Sequence, residues 1–194
     1  MKNKRVIETP DIADLEAELI REKHKRRYGR TLRSTIYTLI VAAAAAVLVA
    51  TIFLPVLRIY GSSMSPAVNE GEIVVSLKGS RFRQGDVIAL WYGNKLLVKR
   101  VIAGPGQWVN MDADGNVYVD GTLLNEPYLT EKALGSCTIS FPYQVPDGRR
   151  FVLGDHRSIS QDSRSATIGC ISEDQIVGKI VFRIWPLKNI GKIQ

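Results

Sequence analysis

Three short segments of this 194-residue chain carry side chains that could act together in acyl transfer. Ser63 stands in a turn-forming run, GSSMSPAV, Lys99 stands in an apolar run, LLVKRVIAGPG, and a polar run, GDHRSISQDSR, follows later. A serine nucleophile usually relies on a histidine, but His24 precedes the long apolar segment and His156 lies in the last run. Since neither is well placed, a desolvated lysine is the main alternative base.

The turn around Ser63 has the composition of a rigid, exposed nucleophile. Gly61 lets the backbone approach a substrate closely, and Pro66 stiffens the exit from the turn. The backbone N–H of Ser63 could then face a developing oxyanion. An ordinary surface turn explains the same residues, so this run alone favours no chemistry.

Lys99 lies within an apolar strand pattern, where lysine is rarely buried without a reason. In a strand, Leu97, Lys99 and Val101 point one way while Val98 and Arg100 point the other. Burial would lower the pKa of Lys99 from about 10.4 toward neutrality, so that it could take a proton from serine. The alternative is that the side chain extends along the surface into solvent.

The polar run supplies candidate supporting groups. Ser160 could accept a hydrogen bond from the lysine ammonium. Its charged side chains could form ion pairs that fix the loop. They are Asp155, Arg157, Asp162 and Arg164. Taken alone, the run also fits a solvated charged loop.

The elements that position these groups begin with an uncharged apolar segment, residues 34–57. As a helix its 24 residues would reach about 36 Å, enough to span a hydrocarbon core of roughly 30 Å. Seven basic side chains fall in Arg21 to Arg33, next to this segment, and account for much of the net charge of +7. The segment is predicted to be a single-pass, uncleaved signal anchor in the cell membrane. The positive-inside rule then places residues 1–33 in the cytoplasm and everything after Arg58 outside. No stacking aromatics or groove-reading motif accompany the cluster, so nucleic acid is not an expected partner.

A short amphipathic helix is predicted within the tail. Apolar residues recur on one helical face between Pro10 and Arg27, acidic residues come early and basic residues late. Gly29 is expected to end this helix.

Beyond the apolar segment the pattern changes to short β-type runs separated by turn signals. A mainly β fold with antiparallel sheets is therefore predicted, preceded by one transmembrane helix. Residues 58–107 and 151–194 form the predicted core, and residues 108–150, the insertion segment, form a small β insertion. The predicted strands are Glu72–Leu77, Asp86–Trp91, Lys95–Ala103, Trp108–Met111, Val117–Val119, Arg150–Leu153 and Ile176–Trp185, with one helical turn at Ser172–Gln175.

Together the segments resemble the bacterial type I signal peptidases, or leader peptidases, which use a serine–lysine dyad. The resemblance extends from the apolar segment to the C-terminus. It includes the ordered boxes GSSMSPAV, RQGDVIAL, VKRVIAGPG and GDHRSISQDSR. No single box is specific, but their order is.

The resemblance implies a role for each matching position. Ser63 is the implied nucleophile, Lys99 the general base, and Ser160 the group that orients the lysine. Some relatives have a serine hydroxyl where this chain has Gly61, so a second oxyanion donor is missing or is supplied otherwise. The implied ion pairs are Arg100 with Asp155 and Asp162 with Arg164, and the implied shallow pockets for small side chains are lined by Ile59, Met64, Val68 and Leu97 together with Gly61.

Two departures from the family pattern affect the pocket and the loop rather than a catalytic group. The usual Pro-Thr-Leu is Pro66-Ala67-Val68 here, and the usual GDNRDNS is GDHRSIS, in which His156, Ser158 and Ile159 are substituted.

The implied activity is removal of signal peptides from exported preproteins through an acyl-enzyme. The expected partners are the signal peptides, the lipid bilayer and the protein export channel. No metal motif, phosphate loop or dinucleotide fingerprint appears, so no cofactor or metal is expected.

Cys137 and Cys170 are the two cysteines of the chain. Their even number and their expected extracytoplasmic location favour a disulfide over free thiols.

Two other classes of protein remain as alternatives. A LexA-type self-cleaving protein uses a related serine–lysine site, but residues 1–33 are too short for its DNA-binding module. A non-enzymatic membrane-anchored β-module would explain the anchor and strands, and would leave Ser63, Lys99 and Ser160 arranged by chance.

Overall fold

The computed structural model describes residues 11–79 and 81–193. It begins with one long helix, α1, which spans Ile12–Phe53. By length and composition this helix is long and apolar enough to cross a membrane. The helix continues through Gly29, so the prediction that Gly29 ends a separate short helix is wrong. A glycine inside a helix costs only about 1 kcal/mol, and the good helix formers Arg27 and Arg30 lie close to it on either side. Pro10, the predicted start of the short helix, lies outside the described residues.

The C-terminal end of α1 comes four residues before the end of the predicted apolar segment. Phe53 is its last residue, and Val56 and Leu57 belong to the first strand instead. Pro55 explains the boundary, because proline lacks an N–H and disfavours helical backbone in the residue before it. The Phe53 carbonyl accepts a hydrogen bond from the Lys78 N–H, at 3.0 Å.

The described residues after α1 form twelve strands and two short 3₁₀ helices, Glu173–Gln175 and Leu187–Asn189. The strands are β1 Val56–Arg58, β2 Ile73–Leu77, β3 Val87–Tyr92, β4 Lys95–Ala103, β5 Trp108–Met111, β6 Val117–Val119, β7 Thr122–Leu123, β8 Tyr143–Gln144, β9 Arg149–Leu153, β10 Ile171–Ser172, β11 Ile176–Trp185 and β12 Gly191–Lys192. The prediction of a mainly antiparallel β fold preceded by one helix is confirmed.

The larger sheet holds eight strands in the order β1-β2-β11-β3-β4-β9-β10, with β12 paired to β11. β11 therefore lies between β2 and β3, although it is close to the C-terminus of the chain. All pairs are antiparallel. Within β3 and β4, Ile88 is opposite Lys99 and Val87 is opposite Arg100.

The smaller sheet is built from residues 108–144, between β4 and β9, which pair directly with each other in the larger sheet. Its four strands have the order β7-β6-β5-β8. A buried apolar cluster joins the inner residues of this sheet to the ends of β4 and β9. Its members include Ile102, Val109, Val117, Phe151 and Leu153.

A second apolar cluster lies under the turn that carries Ser63. Met64 and Val68 from that turn pack with Val74 of β2, Val87 of β3 and Ile180 of β11. The alternation of side chains along these strands places their apolar residues on one face, and burial of that face anchors the turn to the larger sheet.

Candidate active site

Ser63 lies in a compact turn between β1 and β2. The Ser65 N–H donates to the Ser62 carbonyl at 3.1 Å, and the Val68 N–H donates to the Met64 carbonyl at 3.0 Å. Gly61 has a φ of +83°, a conformation that glycine adopts without strain. Met64, the next residue after Ser63, is only 1% exposed. The turn is therefore fixed from below while Ser63 itself is part-exposed.

Three side chains predicted from the sequence meet at this point. The Lys99 Nζ lies 2.9 Å from the Ser63 Oγ and 3.0 Å from the Ser160 Oγ. Ser63 comes from the turn after β1, Lys99 from the middle of β4, and Ser160 from the loop after β9. One ammonium or amine group thus bridges two hydroxyls that are distant in the sequence.

Lys99 is buried, with only 3% of its surface exposed. Desolvation by this burial is the main cause that lowers its pKa from 10.5 to about 8. The negative charges of Asp162 and Asp155 oppose the shift, and the positive charge of Arg164 adds to it. A lysine with this pKa is partly neutral near pH 8 and can act as a base there.

Gly154 brings the run GDHRSISQDSR against the turn that carries Ser63, a contact that was not predicted from the sequence. It lies directly against Ser160 and the Ser63 carbonyl, with no space for a side chain. Two residues on, the His156 N–H donates to the same Ser63 carbonyl at 3.1 Å. His156 therefore contacts the Ser63 turn through its backbone. The signal for the close approach was the glycine that opens GDHRSISQDSR.

Two buried ion pairs that the resemblance implied are present. Arg100 contacts both carboxylate oxygens of Asp155, at 2.9 and 2.7 Å, and donates to the Gly85 carbonyl at 2.7 Å. Arg164 contacts both carboxylate oxygens of Asp162, each at 2.8 Å. Asp162 also accepts the Gly154 N–H at 3.0 Å, so this pair braces the loop that carries Ser160.

A third buried ion pair, between Arg157 and Glu126, was not predicted. Arg157 was expected to form an ion pair, but its partner comes from the insertion segment. Glu126 also accepts a hydrogen bond from the Tyr128 hydroxyl at 3.0 Å. Nothing in the local sequence pattern indicates this contact, because the two partners are 31 positions apart.

Two cavities open beside Ser63. The shallow pocket has a volume of about 40 Å³, and its lining includes Ile59, Gly61, Met64 and Leu97. The large groove has a volume of about 610 Å³ and shares Ser63 and Leu97 with the shallow pocket. Its other lining residues include Lys99, Ile159 and Gln161. Val68, the remaining residue proposed for the pocket wall, is fully buried behind Met64 in the core cluster.

The two cysteines are free thiols, so the expected disulfide is corrected by the structure. The Cys137 thiol lies 3.4 Å from the Ile139 carbonyl, as a weak hydrogen bond. Cys170 is buried, and burial raises the pKa of its thiol to about 11. The neighbouring Tyr143 hydroxyl opposes this rise in pKa. Each cysteine thus has its own local partner.

No cluster of three or more His, Cys, Asp or Glu side chains within residues 11–79 and 81–193 has the arrangement of a metal site. The groups gathered around Ser63 are hydroxyls, one amine and buried ion pairs. The chemistry that this set can perform is proton transfer and nucleophilic attack.

Comparisons with known proteins identify relatives of this chain. The chain is 35% identical to signal peptidase I of Bacillus licheniformis over 184 residues, which cover 88% of this chain and 98% of that protein. It is 34% identical to signal peptidase IB of Staphylococcus aureus (strain Mu50) over 181 residues, which cover 82% of this chain and 93% of that protein.

A crystal structure of a signal peptidase I from Enterococcus faecalis V583 is 27% identical, with a TM-score of 0.43, and the alignment covers 52% of this chain and 97% of that chain. Residues 32–185 match the family model described as signal peptidase, peptidase S26. Since this match and the two curated relatives cover most of the sequence, the chain belongs to the signal peptidase family, peptidase S26.

Proposed function

We propose that this protein is a membrane-anchored serine endopeptidase that removes signal peptides from exported preproteins by a serine–lysine dyad. The observation that carries the proposal is the 2.9 Å contact between the Lys99 Nζ and the Ser63 Oγ. Family membership supports the substrate class, since the curated relatives are named signal peptidase I and IB.

In the proposed reaction, neutral Lys99 accepts the proton of the Ser63 hydroxyl while the Oγ attacks the carbonyl carbon before the scissile bond. The carbonyl oxygen becomes an oxyanion, and the backbone N–H of Ser63 is the donor proposed to stabilise it. Lys99 then gives its proton to the leaving amine, and the C–N bond breaks. The signal segment stays on Ser63 as an ester.

Hydrolysis of this ester repeats the same proton transfers. Lys99 takes a proton from water, the hydroxide oxygen attacks the ester carbon, and the proton returns to the Ser63 Oγ as the C–O bond breaks. The signal peptide leaves as a carboxylic acid. Ser160, at 3.0 Å, is proposed to hold the Lys99 amine on the line toward Ser63 throughout both stages.

The two cavities support a preference for small residues near the cut. In an extended substrate the first and third residues before the scissile bond point to one face and the second points to the opposite face. The shallow pocket, about 40 Å³, has space for a small side chain such as that of alanine. The large groove, about 610 Å³, has space for a bulky second residue.

The anchoring and orientation of the chain belong to the same proposal. α1 would hold the enzyme in the bilayer that also holds its substrates, so that their encounter is confined to two dimensions. The basic cluster from Arg21 to Arg33 supports a cytoplasmic N-terminus. Protease added outside intact cells should then digest the C-terminal portion and spare residues 1–33. Protection of the C-terminal portion would contradict this orientation.

Cleavage of a panel of signal peptides by the purified full-length protein tests the activity. Ser63→Ala should lose turnover by a factor on the order of 10⁴ or more, because it removes the nucleophile and little buried surface. Ser62→Ala and Ser65→Ala are the matched controls in the same turn and should have mild effects. The panel should vary the first, second and third residues before the cut. Near-normal turnover by Ser63→Ala would overturn the proposed mechanism.

A further inference from the structure

The ion pair between Arg157 and Glu126 is fully buried, with side chains 1% and 0% exposed. It connects the predicted core to the insertion segment. Arg157 belongs to the loop that carries Ser160, whereas Glu126 lies in the insertion segment after β7. Burying two charges is expensive, and such a pair is often no more stabilising than apolar residues of similar size. The pair therefore calls for an explanation beyond fold stability.

Arg157 links Glu126 to the backbone of the loop that carries Ser160. Its guanidinium contacts both Glu126 carboxylate oxygens, and its Nε donates to the Gly154 carbonyl at 3.0 Å. The Gly154 N–H donates a hydrogen bond to Asp162 Oδ2 at 3.0 Å. Gly154 itself lies against Ser160 and the Ser63 carbonyl. A displacement of Arg157 would therefore move the backbone on which both hydroxyls depend.

The same part of the insertion segment contacts the second buried pair. The Tyr128 hydroxyl donates to Glu126 at 3.0 Å, and the Tyr128 ring lies 3.8 Å from the Arg100 guanidinium carbon. Arg100 in turn holds both oxygens of Asp155, the residue after Gly154. Glu126 and Tyr128 thus contact both arginines that hold the start of this loop.

We propose that Glu126 is a positioning residue, which acts through Arg157 to hold Gly154 and Ser160 in the geometry that aims Lys99 at Ser63. The inference rests on the proposed function and adds a task for the insertion segment. Glu126 lines neither of the two cavities beside Ser63. Substitution of Glu126 should therefore lower the rate of the chemical steps and leave substrate binding unchanged.

Two variants separate positioning from stability. Glu126→Asp keeps the charge and shortens the side chain by one methylene. Arg157 must then either move toward the carboxylate or lose its ion pair. The double variant Glu126→Leu with Arg157→Met replaces the ion pair by apolar side chains, which preserves burial and removes the donor to the Gly154 carbonyl. Glu173→Asp is the control, because Glu173 makes an exposed ion pair with Arg150 at 2.7 Å.

The assay uses the full-length protein, after wild type has been shown to cleave a signal peptide and Ser63→Ala has been shown not to. That first step tests the proposed function, so its failure is distinct from failure of this inference. The rate constant kcat and the constant KM are measured well below the melting temperature of each variant. Both Glu126 variants should lose about tenfold or more in kcat with KM within about twofold, since misplacement of a catalytic group by 1 Å can cost about 100-fold. Glu173→Asp should match wild type.

A kcat within twofold of wild type in either folded Glu126 variant would overturn the proposal. A rise in KM at unchanged kcat would overturn it too, because Glu126 would then support binding. If neither variant melts cooperatively, Glu126 is required for folding alone, and the positioning role is rejected.

Discussion

Gly154 packs against Ser160 so closely that a Cβ on Gly154 would lie 2.1 Å from the Ser160 Oγ and 2.6 Å from the Ser63 carbonyl oxygen. Real Cβ atoms do not approach other heavy atoms to such distances, so any side chain here must displace one of the two serines. The absence of a side chain at Gly154 therefore allows the Ser63 turn and the Ser160 loop to lie this close to each other.

Gly154→Ala should therefore lose most of its activity. A shift of the order of 1 Å between catalytic groups predicts a fall in kcat of about 100-fold. Gly104→Ala is a suitable control, because a Cβ there would meet only side-chain atoms, Gln107 Oε1 at 3.6 Å and Arg150 Nη1 at 3.7 Å. Cleavage assays on both variants measure the difference. Activity of Gly154→Ala within a few-fold of wild type would show that the serines tolerate displacement.

The pH dependence of cleavage should follow the deprotonation of Lys99. Its pKa is lowered to about 8 by burial, so the neutral base becomes more abundant as the pH rises from 7 to 9. The rate should rise over this range and then level off. Lys99→Arg should be inactive at every pH, because guanidinium stays protonated. Rate–pH profiles of the two proteins test this, and an active Lys99→Arg would make His156 the next candidate for the base.

Removal of the Asp162 charge should change both stability and the pH profile. Asp162→Asn leaves Arg164 buried without its counter-ion, which should cost about 3–5 kcal/mol in the free energy of unfolding. Asp162 also raises the pKa of Lys99, so its loss should move the rise in rate to lower pH. Denaturant unfolding and a rate–pH profile measure the two effects.

Glu173→Gln serves as the control for this stability loss. It breaks the exposed pair with Arg150, and exposed pairs contribute about 0–1 kcal/mol. Equal losses in the two variants, or a rate rise displaced to higher pH in Asp162→Asn, would contradict the assignment of Asp162.

The state of the cysteines gives an independent check. Cys137 and Cys170 are free in the structure, so a thiol titration of the denatured, unreduced protein should find two reactive groups per chain. Addition of a reductant should leave the melting temperature unchanged, because there is no cross-link to break. A titration that finds no thiol would indicate a disulfide that forms in an oxidising compartment.

The sequence pattern predicted the bounds of four strands correctly. β4, β5, β6 and β11 have the predicted bounds, because their alternating or continuous apolar residues are bounded by glycine and polar turns. β1, β7, β8, β10 and β12 were not predicted. β7, β8, β10 and β12 have two residues each, too few for a period to appear, and β1 overlaps the end of the apolar segment that was predicted to be helical. Their pairing depends on neighbouring strands that only the folded sheet supplies.

The catalytic candidates were found by residue type and by resemblance rather than by pattern. Periodicity predicts that Lys99 shares a face with Leu97, but it does not predict which serine that face meets. The Glu126–Arg157 contact shows the limit more clearly, since an acid in a turn-rich segment is typical of a solvated surface. Its burial results from the way the insertion segment folds back over the Ser160 loop.

The position of β11 has a consequence for when the enzyme can act. The Ser63 turn is attached to β1 and β2, Lys99 is on β4 beside β3, and β11 is the strand that joins these two halves of the sheet. β11 spans residues 176–185, so it comes after Ser63, Lys99 and Ser160 along the chain. Until it is inserted, no shared sheet holds the strands beside Ser63 and the strand that carries Lys99 together. We therefore expect a partly synthesised chain that does not yet have β11 to lack the contact between Ser63 and Lys99, and to be proteolytically inactive.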